Sequence, residues 1–359
     1  MQLLKSSFAA AAISFLCACS SSGLKERPAV TPDGKSALKV SGNKIVNEAG
    51  QPVMMQGLAL VDPLVTINEN QWNEKFFDHM ADWNAKLIRV PVTPTNWNRK
   101  GKDFYFKVLD QAVEWAGSRG MYLIVDWHSI GNVKDEKFQR PGYNTTMKET
   151  IEFWSEISKR YAGEKTIAFY EVFNEPTDFF GKLGKLSWDE WRETVEKISA
   201  EIRKNDKDTI ILAGGLRWCY DLTPAKEKPF RVKNLAYAVH PYPMKAKDDR
   251  KKGTMEQQWT KTWGFIADKY PMVATEFGFM SKDEPGSHVP CIGDDSYGKR
   301  LINYFNEKTI SWTVWCFHWS WKPALIDRNY KPATTEGKFF HKVMTDNIRT
   351  FPETGSAAE

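Results

Sequence analysis

Short apolar runs alternate with amphipathic stretches over most of the chain. Eight runs have the length of buried strands, at residues 53–60, 87–92, 122–127, 167–173, 209–213, 235–239, 272–275 and 310–317. Between most of them, apolar residues recur every three or four positions, as they do on one face of an α-helix. The helices predicted in this way cover residues 71–83, 108–118, 150–161, 188–202, 257–270 and 297–306.

The regular alternation of strand and helix predicts parallel strands joined by helical crossovers. Eight such repeats favour closure into a (β/α)8 TIM barrel over an open sheet. No G-x-G-x-x-G or Walker loop follows the first strand, which argues against a nucleotide-binding open sheet. We therefore expect an α/β fold of the (β/α)8 type.

A predicted β-hairpin precedes the barrel. It spans residues 38–53, with short strands around Val40 and Ile45 and a turn at residues 47–50. We expect this hairpin to close the bottom of the barrel. The catalytic domain is expected to cover residues 38–347, followed by a flexible tail at residues 348–359.

The N-terminal residues have the pattern of a targeting segment. Lys5 precedes an apolar stretch at residues 8–16, which is too short for the roughly 20 apolar residues of a membrane span. Residues 16–19, ending in Cys19, resemble a bacterial lipobox, which makes Cys19 the expected site of lipidation. A plain signal peptide with an A-x-A-like cleavage site is the alternative. We predict a lipoprotein signal peptide at residues 1–19 and a linker at 20–37, and hence an exported protein anchored by lipid, on the periplasmic or cell-surface side of the outer membrane.

The bulk composition excludes some partners and favours others. The 50 basic and 45 acidic residues are spread along the chain and form no basic block, so we expect no nucleic-acid partner. Several of the 15 tryptophans stand beside polar residues, where an indole ring can pack against the C–H face of a sugar. Three cysteines lie beyond the leader, at Cys219, Cys291 and Cys316, and allow at most one internal bridge. We expect a monomer with a glycan partner and with no cofactor.

Polar and aromatic residues stand at the ends of six of the eight predicted strands. In a TIM barrel these ends form the active site. The candidates, in chain order, are Arg89, His128, Asn174, Glu175, His240, Tyr242, Glu276, Trp315 and Trp319. Glu171 also points inward by strand alternation, and we interpret it as a buried charge that is paired within the barrel.

Two glutamates on roughly opposite strands indicate hydrolysis of an acetal. This reaction needs one carboxylic acid to protonate the leaving oxygen and one carboxylate to attack or to activate water. We predict that Glu276 is the nucleophile, because Arg89 and Tyr242 would keep it ionised. Glu175 is then the proton donor, and Asn174 would donate a hydrogen bond to the sugar 2-OH.

The remaining candidates are expected to hold the sugar. His128 and His240 would act as neutral rings that hydrogen-bond the sugar and the carboxylates, and Trp315 would form the floor under the sugar at the cleavage point. A zinc site at the two histidines is the alternative, although the sequence has no H-E-x-x-H motif and no third ligand at close spacing.

Seven motifs resemble glycoside hydrolase family 5, the cellulase-like members of clan A. They lie at residues 57–60, 88–91, 124–128, 170–176, 240–242, 274–278 and 311–315. The resemblance implies a retaining double displacement without metal or cofactor, with Glu175 as acid/base and Glu276 as nucleophile. It places six further candidates around the cleavage site: Arg89, His128, Asn174, His240, Tyr242 and Trp315. Phe277 stands where many members carry Trp, and residues 131–144 and 319–321 depart from the common pattern.

The leading functional hypothesis is an endo-β-1,4-glucanase. A β-mannanase, or another β-glycanase or β-glucosidase of the same family, is the alternative enzyme. A glycan-binding lipoprotein without catalytic activity is the alternative from another class.

Overall fold

The computed structural model describes residues 34–352, and within them eight parallel strands close into a barrel. In chain order the barrel strands are Gln56–Ala59, Leu87–Val92, Tyr122–Trp127, Ile167–Glu171, Ile210–Gly214, Leu235–Ala238, Met272–Ala274 and Ser311–Trp315. We call them the first to the eighth barrel strand. The eighth pairs with the first, which closes the ring, so the predicted (β/α)8 fold is confirmed.

Helices surround the barrel. The α-helices are Pro63–Asn68, Glu74–Asp82, Pro94–Lys100, Lys102–Ser118, Met147–Tyr161, Trp188–Asn205, Met255–Thr262, Asp295–Lys308 and Thr335–Thr345, and a single irregular turn lies at Leu216–Cys219. Short 3-10 turns lie at Pro141–Tyr143, Thr223–Lys226, Pro243–Lys245 and Gly264–Asp268. Capping boxes begin three of the α-helices, at Thr146, Ser187 and Thr254, where a side chain satisfies backbone N–H groups that have no partner within the helix.

The predicted pattern agrees with these elements more closely for strands than for helices. The second and third barrel strands have the predicted bounds, and the others differ by a few residues at one or both ends. The predicted helix at residues 257–270 is an α-helix followed by the separate 3-10 turn Gly264–Asp268. The predicted signal peptide with Cys19 lies outside the described residues.

The N-terminal hairpin closes one end of the barrel, as predicted. Its strands Lys39–Ser41 and Lys44–Val46 pair antiparallel. Leu38 and Ile45 are buried in the same apolar cluster as the inward-facing residues of the barrel floor, including Leu87 and Phe169. This apolar plug leaves the opposite end of the barrel open for polar chemistry.

The inward-facing positions change from apolar to charged along the barrel axis. Successive inward residues of a strand are two positions apart. Leu87 is followed by Arg89, and Phe169 is followed by Glu171, with the charged member of each pair nearer the carboxyl ends of the strands. All four are buried, so the charged groups must neutralise one another within the barrel.

A small sheet extends one side of the open end. Its strands are Ile130–Asn132, Lys137–Phe138 and Glu175–Pro176, and Ile130 pairs with Glu175. The pairing holds the backbone of Glu175 in place after the fourth barrel strand has ended at Glu171. None of the helices within residues 34–352 has the length and apolar run that crossing a bilayer requires.

Candidate active site

Arg89 joins four polar side chains at the centre of the open end. Its Nε donates to Glu171 Oε2 at 2.7 Å, and its Nη1 donates to Glu276 Oε2 at 3.0 Å. Its Nη2 donates to Asn174 Oδ1 at 2.6 Å and lies 2.9 Å from Asp126 Oδ2. The planar guanidinium presents its donors in a fixed fork, so these contacts fix the directions of all four partners.

Glu171 has the partners that sequence alone left unnamed. Besides Arg89, the hydroxyl of Thr275 donates to its Oε1 at 2.6 Å, and His240 Nε2 lies 3.6 Å from the same oxygen. Burial opposes ionisation of Glu171, but Arg89 and the nearby His240 outweigh it and lower the pKa to about 2. Glu171 is therefore a carboxylate that holds other groups in place beneath the cleft.

Glu276 is held as an anion by its surroundings, as predicted from the sequence. Tyr242 donates its hydroxyl to Glu276 Oε1 at 2.8 Å, and Arg89 donates to Oε2. Burial raises the pKa of this carboxyl, but His240, Arg89, His128 and the hydrogen bond from Tyr242 together lower it below its ordinary value. Both oxygens have fixed donors, which also orient the carboxylate.

Glu175 has a different kind of partner. Its Oε1 lies 3.1 Å from His240 Nδ1, whose other ring nitrogen lies 3.0 Å from the Thr275 hydroxyl. Burial lowers the pKa of His240, but Cys219, Glu276 and Glu171 outweigh it and raise the pKa well above its ordinary value. These neighbours favour the protonated form of His240, whereas the sequence analysis expected a neutral ring there.

The two glutamates face one another across the cleft. A carboxylate oxygen of Glu175, one of Glu276 and a ring nitrogen of His240 all lie within 4.8 Å of one another. Retaining glycoside hydrolases separate their carboxyl groups by about 5–5.5 Å, whereas inverting enzymes need about 6.5–9.5 Å to admit a water. Two carboxyl oxygens this close are compatible with the retaining arrangement and leave less room than the inverting one needs.

Asn174 has a free donor in the cleft. Its Oδ1 accepts from Arg89, while its Nδ2 is buried and lacks a hydrogen-bond partner among residues 34–352. A buried amide nitrogen without a partner is costly, and a bound hydroxyl would satisfy it. This agrees with the predicted donation to a sugar hydroxyl.

Aromatic side chains form one wall of the cleft. The ring of Trp315 lies parallel to that of His128, with centroids 5.7 Å apart and planes 5° apart. His128 Nδ1 is 2.6 Å from Asp126 Oδ2, which fixes the ring through Arg89 and Asp126. Tyr143 packs edge-on against His128 at 6.1 Å. Burial raises the pKa of Tyr143 to about 12, with further increases from Glu175 and Glu276.

Trp319 lies on the loop after the eighth barrel strand, and its surroundings limit what it can bind. Its Nε1 donates to Glu69 Oε2 at 2.8 Å, and the guanidinium carbon of Arg328 lies 4.0 Å from its ring centroid. Trp321 on the same loop is 43% exposed and packs edge-on against Trp315 at 6.4 Å. Trp321 thus extends the wall of the cleft more directly than Trp319.

Phe277 does not face the cleft. It is fully buried against Trp312, Phe305 and Phe340, in the layer between the barrel and the outer helices. The replacement of Trp by Phe that the family pattern indicated therefore concerns packing at this position. Cys219, Cys291 and Cys316 are buried and form no disulfide.

Two groups of three potential metal ligands come together within residues 34–352. One is Glu175, His240 and Glu276, and the other is Glu171, Cys219 and His240. His128 belongs to neither group, so the two histidines do not form the zinc site that the sequence left as an alternative. Both oxygens of Glu276 and both oxygens of Glu171 already accept hydrogen bonds from protein donors, which satisfies much of their capacity as ligands.

Several residues around the cleft escaped the sequence analysis. Asp126 stands two positions before His128, and Thr275 stands directly before Glu276. Strand alternation could have identified both as inward-facing. Tyr143 ends a short 3-10 turn and Glu69 follows the helix Pro63–Asn68, in loop regions where no periodicity indicates a direction. They become visible only once the loops are placed in space.

The fold and the site together define a class of protein. The spacing of the two glutamates, the anionic character of one of them and their position at the carboxyl ends of barrel strands are those of a retaining glycoside hydrolase built on a (β/α)8 barrel.

The chain belongs to the cellulase family, glycosyl hydrolase family 5, whose sequence pattern matches residues 46–320. It is similar in structure to a β-glucanase from Saccharophagus degradans, with a TM-score of 0.85, 39% sequence identity, and coverage of 89% of this chain and 98% of that one. A second structure of that β-glucanase, in complex with cellotetraose, has a TM-score of 0.84 and 38% identity over 91% of this chain and 99% of that one.

A more distant relative is endoglucanase E-5 from Thermobifida fusca, which is 25% identical over 312 residues, or 83% of this chain. The present chain spans 58% of the length of that endoglucanase.

Glu171→Gln should destabilise the protein at neutral pH by about 3 kcal/mol, since it removes one buried partner of Arg89. The folded-state pKa of Glu171, about 2, lies below the ordinary value of 4.5, so its stabilisation is complete above pH 4.5 and is lost as the pH falls toward 2. The variant should therefore lose less stability than the wild type over that acid range. Urea unfolding followed by tryptophan fluorescence measures both effects.

Glu336→Gln is the matched control. Glu336 is also fully buried, but burial raises its pKa well above the ordinary value, despite the N–H that Phe279 donates to it. Burial of an ionised Glu336 would cost stability at neutral pH. The substitution by Gln should therefore leave the free energy of unfolding unchanged or increase it at that pH. Equal losses in the two variants would contradict the ion-pair role of Glu171.

Proposed function

We propose that the chain is a retaining endo-β-1,4-glucanase. The observation that carries the proposal is that an oxygen of Glu175 and an oxygen of Glu276 lie within 4.8 Å of each other beside His240. Of these two glutamates, only Glu276 accepts hydrogen bonds from Arg89 and Tyr242. The relatives support a glucan substrate, because they are named β-glucanase or endoglucanase and one was crystallised with cellotetraose.

Glu276 acts as the nucleophile in this proposal. One of its oxygens attacks the anomeric carbon while the bond from that carbon to the leaving oxygen breaks, which gives a covalent glycosyl–enzyme ester. Arg89 and Tyr242 support this role because they hold the carboxylate deprotonated and oriented before the substrate arrives.

Glu175 acts first as acid and then as base. It gives its proton to the leaving oxygen in the first step, and in the second it takes a proton from the water that attacks the anomeric carbon and frees Glu276. His240 supports the exchange, since its Nδ1 lies 3.1 Å from Glu175 and the ring itself can gain or lose a proton.

The sugar at the cleavage point is held from two sides. The unpartnered Nδ2 of Asn174 donates to the 2-OH, and this contact strengthens in the transition state. Trp315, whose ring lies parallel to that of His128, forms the wall of the cleft against which the C–H face of the sugar packs.

The wild-type protein should release new reducing ends from soluble β-1,4-glucan and lower its viscosity early in the reaction, as internal cleavage does. The assay panel contains carboxymethylcellulose, mixed-linkage β-glucan, β-mannan and xylan. Greater activity on mannan would transfer the proposal to a β-mannanase. Binding to any of these polymers with no reducing ends released would favour the glycan-binding protein without catalytic activity.

Glu276→Gln should abolish hydrolysis of both polysaccharide and activated aryl β-glycosides, because a nucleophile is needed whatever the leaving group. Glu175→Gln should lose polysaccharide hydrolysis but retain part of its activity on the aryl glycosides, since a good leaving group needs no proton. Tyr242→Phe, which keeps Arg89 on Glu276, should show an intermediate loss on both. Steady-state kinetics on the two substrate types measures this, and the reverse pattern would exchange the two roles.

We further propose that the protein is exported and anchored by lipid at Cys19, on the outer membrane. The lipobox-like residues 16–19 and the serine-rich stretch that follows them support this proposal. Acyl chains on one cysteine give firm anchoring, because each buried CH2 contributes about 0.8 kcal/mol.

Cys19→Ala should abolish incorporation of radiolabelled palmitate when the full chain is expressed in a bacterium with lipoprotein processing. The same substitution at Cys17 is the control and should leave labelling intact. Labelling that persists in the Cys19 variant would contradict the assignment.

A further inference from the structure

A buried histidine organises the loop after the eighth barrel strand, and the catalytic scheme does not use it. His318 is 1% exposed, and its Nδ1 accepts the backbone N–H of Ser320 at 3.1 Å and that of Trp321 at 3.2 Å. A ring nitrogen that accepts two N–H groups carries no proton of its own. The geometry therefore defines His318 as a neutral ring with its proton on Nε2.

Glu69 takes up the proton on the other side of this ring. Its Oε2 lies 3.0 Å from His318 Nε2 and also accepts the indole N–H of Trp319 at 2.8 Å. Glu69 follows the helix Pro63–Asn68, which comes after the first barrel strand. The carboxylate thus joins the loops after the first and the eighth strands, and it keeps the His318 proton on Nε2.

The surroundings of His318 favour the neutral ring. Burial lowers the pKa of His318, and the charge and hydrogen bond of Glu69 oppose this effect without outweighing it. Arg328 is also near, with its guanidinium carbon 4.0 Å from the ring centroid of Trp319. Burial and the charge of Glu69 raise the pKa of Tyr330, which stays a neutral phenol. Nδ1 of His318 therefore remains free to accept hydrogen bonds from the loop.

These hydrogen bonds determine where Trp321 lies. Its ring is 43% exposed and packs edge-on against Trp315, with the centroids 6.4 Å apart. The thiol of Cys316 donates to the backbone oxygen of Trp321, while the backbone N–H of Trp321 donates to His318. A ring that is nearly half exposed gains little from packing, so its backbone contacts must hold it in the wall of the cleft.

We propose that His318 and Glu69 are positioning residues that hold Trp321 beside Trp315 before the glucan binds. His318 acts through Nδ1 on the backbone of the loop, and Glu69 acts through the proton that it keeps on Nε2. Ordering the wall in advance removes an entropic cost from binding and leaves the chemical step unchanged. The proposal rests on the glucanase function proposed above and adds to it how the binding wall is kept in place.

Two substitutions of His318 separate its two nitrogens. His318→Gln places an amide near the position of Nε2 and removes the acceptor at Nδ1, so KM for cellopentaose should rise about 2- to 10-fold, the range of one aromatic contact, at unchanged kcat. His318→Asn places a side-chain oxygen near the position of Nδ1 and should keep KM close to the wild-type value. Steady-state kinetics with cellopentaose measures both constants.

A matched pair at Glu69 tests the other half of the contact. Glu69→Gln keeps an oxygen that accepts N–H groups and should retain the wild-type KM, whereas Glu69→Leu has a similar size without an acceptor and should raise KM as His318→Gln does. His341→Gln is the control, because His341 is a half-buried histidine that also packs against a tryptophan, Trp83, but lies on the outer helix Thr335–Thr345. It should leave both constants unchanged.

A double-mutant cycle shows whether His318 acts through Trp321. Trp321→Ala should raise KM by about the same factor, and in that background His318→Gln should raise KM no further, because both changes remove the same contact. An equal rise in the two backgrounds would overturn the proposal. So would a fall in kcat at unchanged KM, or an Asn variant as weak as the Gln variant.

The positioning role and the glucanase function fail in different ways. If the wild type cleaves cellopentaose and neither His318→Gln nor Glu69→Leu raises KM, the positioning role is wrong while the glucanase function stands. Circular dichroism checks that each variant is folded, and the Glu69 pair carries the test if His318→Gln does not fold.

If the wild type does not cleave cellopentaose, the glucanase function fails. The dissociation constant of cellopentaose, measured by calorimetry on the same variants, then decides the positioning role. A weaker complex with His318→Gln but not with His318→Asn would support it, whereas equal constants or no binding by the wild type would overturn it.

Discussion

The active site depends on one buried cation. Arg89 has no exposed surface, and its guanidinium contacts Asp126, Glu171 and Glu276, which come from three other barrel strands or their ends. A charge buried in this way is stable only when its partners are in place, and each partner needs the cation equally. The ion network therefore forms only when the barrel closes, and closure sets the direction of the Glu276 carboxylate. The apolar plug beneath it, to which Leu38 and Ile45 contribute, keeps water from the other end.

Much of this arrangement follows from the sequence, because strand alternation and barrel topology are regular. Arg89 lies two positions after Leu87, and both face inward, as a period of two requires. The same rule places Glu171 two positions after Phe169. The alternation rule fails beyond Glu171, because the fourth barrel strand ends there. Phe173 packs outward against Trp191, and Asn174 turns toward Arg89. A motif identified Asn174, whereas periodicity alone would have chosen Phe173.

What the sequence could not provide are contacts between loops distant along the chain. Trp319 was a natural candidate for binding sugar, yet Glu69, 250 residues away, engages its N–H. Phe277 follows Glu276 directly and still faces the outer helices. The left-handed residues Phe179, Phe180 and Trp218 give no local signal, because none of them is glycine and no turn motif marks them. Their conformations are imposed by tertiary contacts, which overrule the local preference.

Two identical side chains acquire different chemistry from their partners alone. Glu276 is bound by Arg89, which is always charged, and by Tyr242, whose pKa burial and Glu276 raise well above its ordinary value. Neither partner can exchange a proton near neutral pH, so the carboxylate remains an anion. Glu175 instead has the imidazole ring of His240 as its partner, with Nδ1 at 3.1 Å from Oε1. The proposed division into nucleophile and acid/base thus follows from which strands are neighbours: the second and sixth barrel strands supply fixed donors to Glu276, while the turn that ends the fourth strand brings Glu175 to His240.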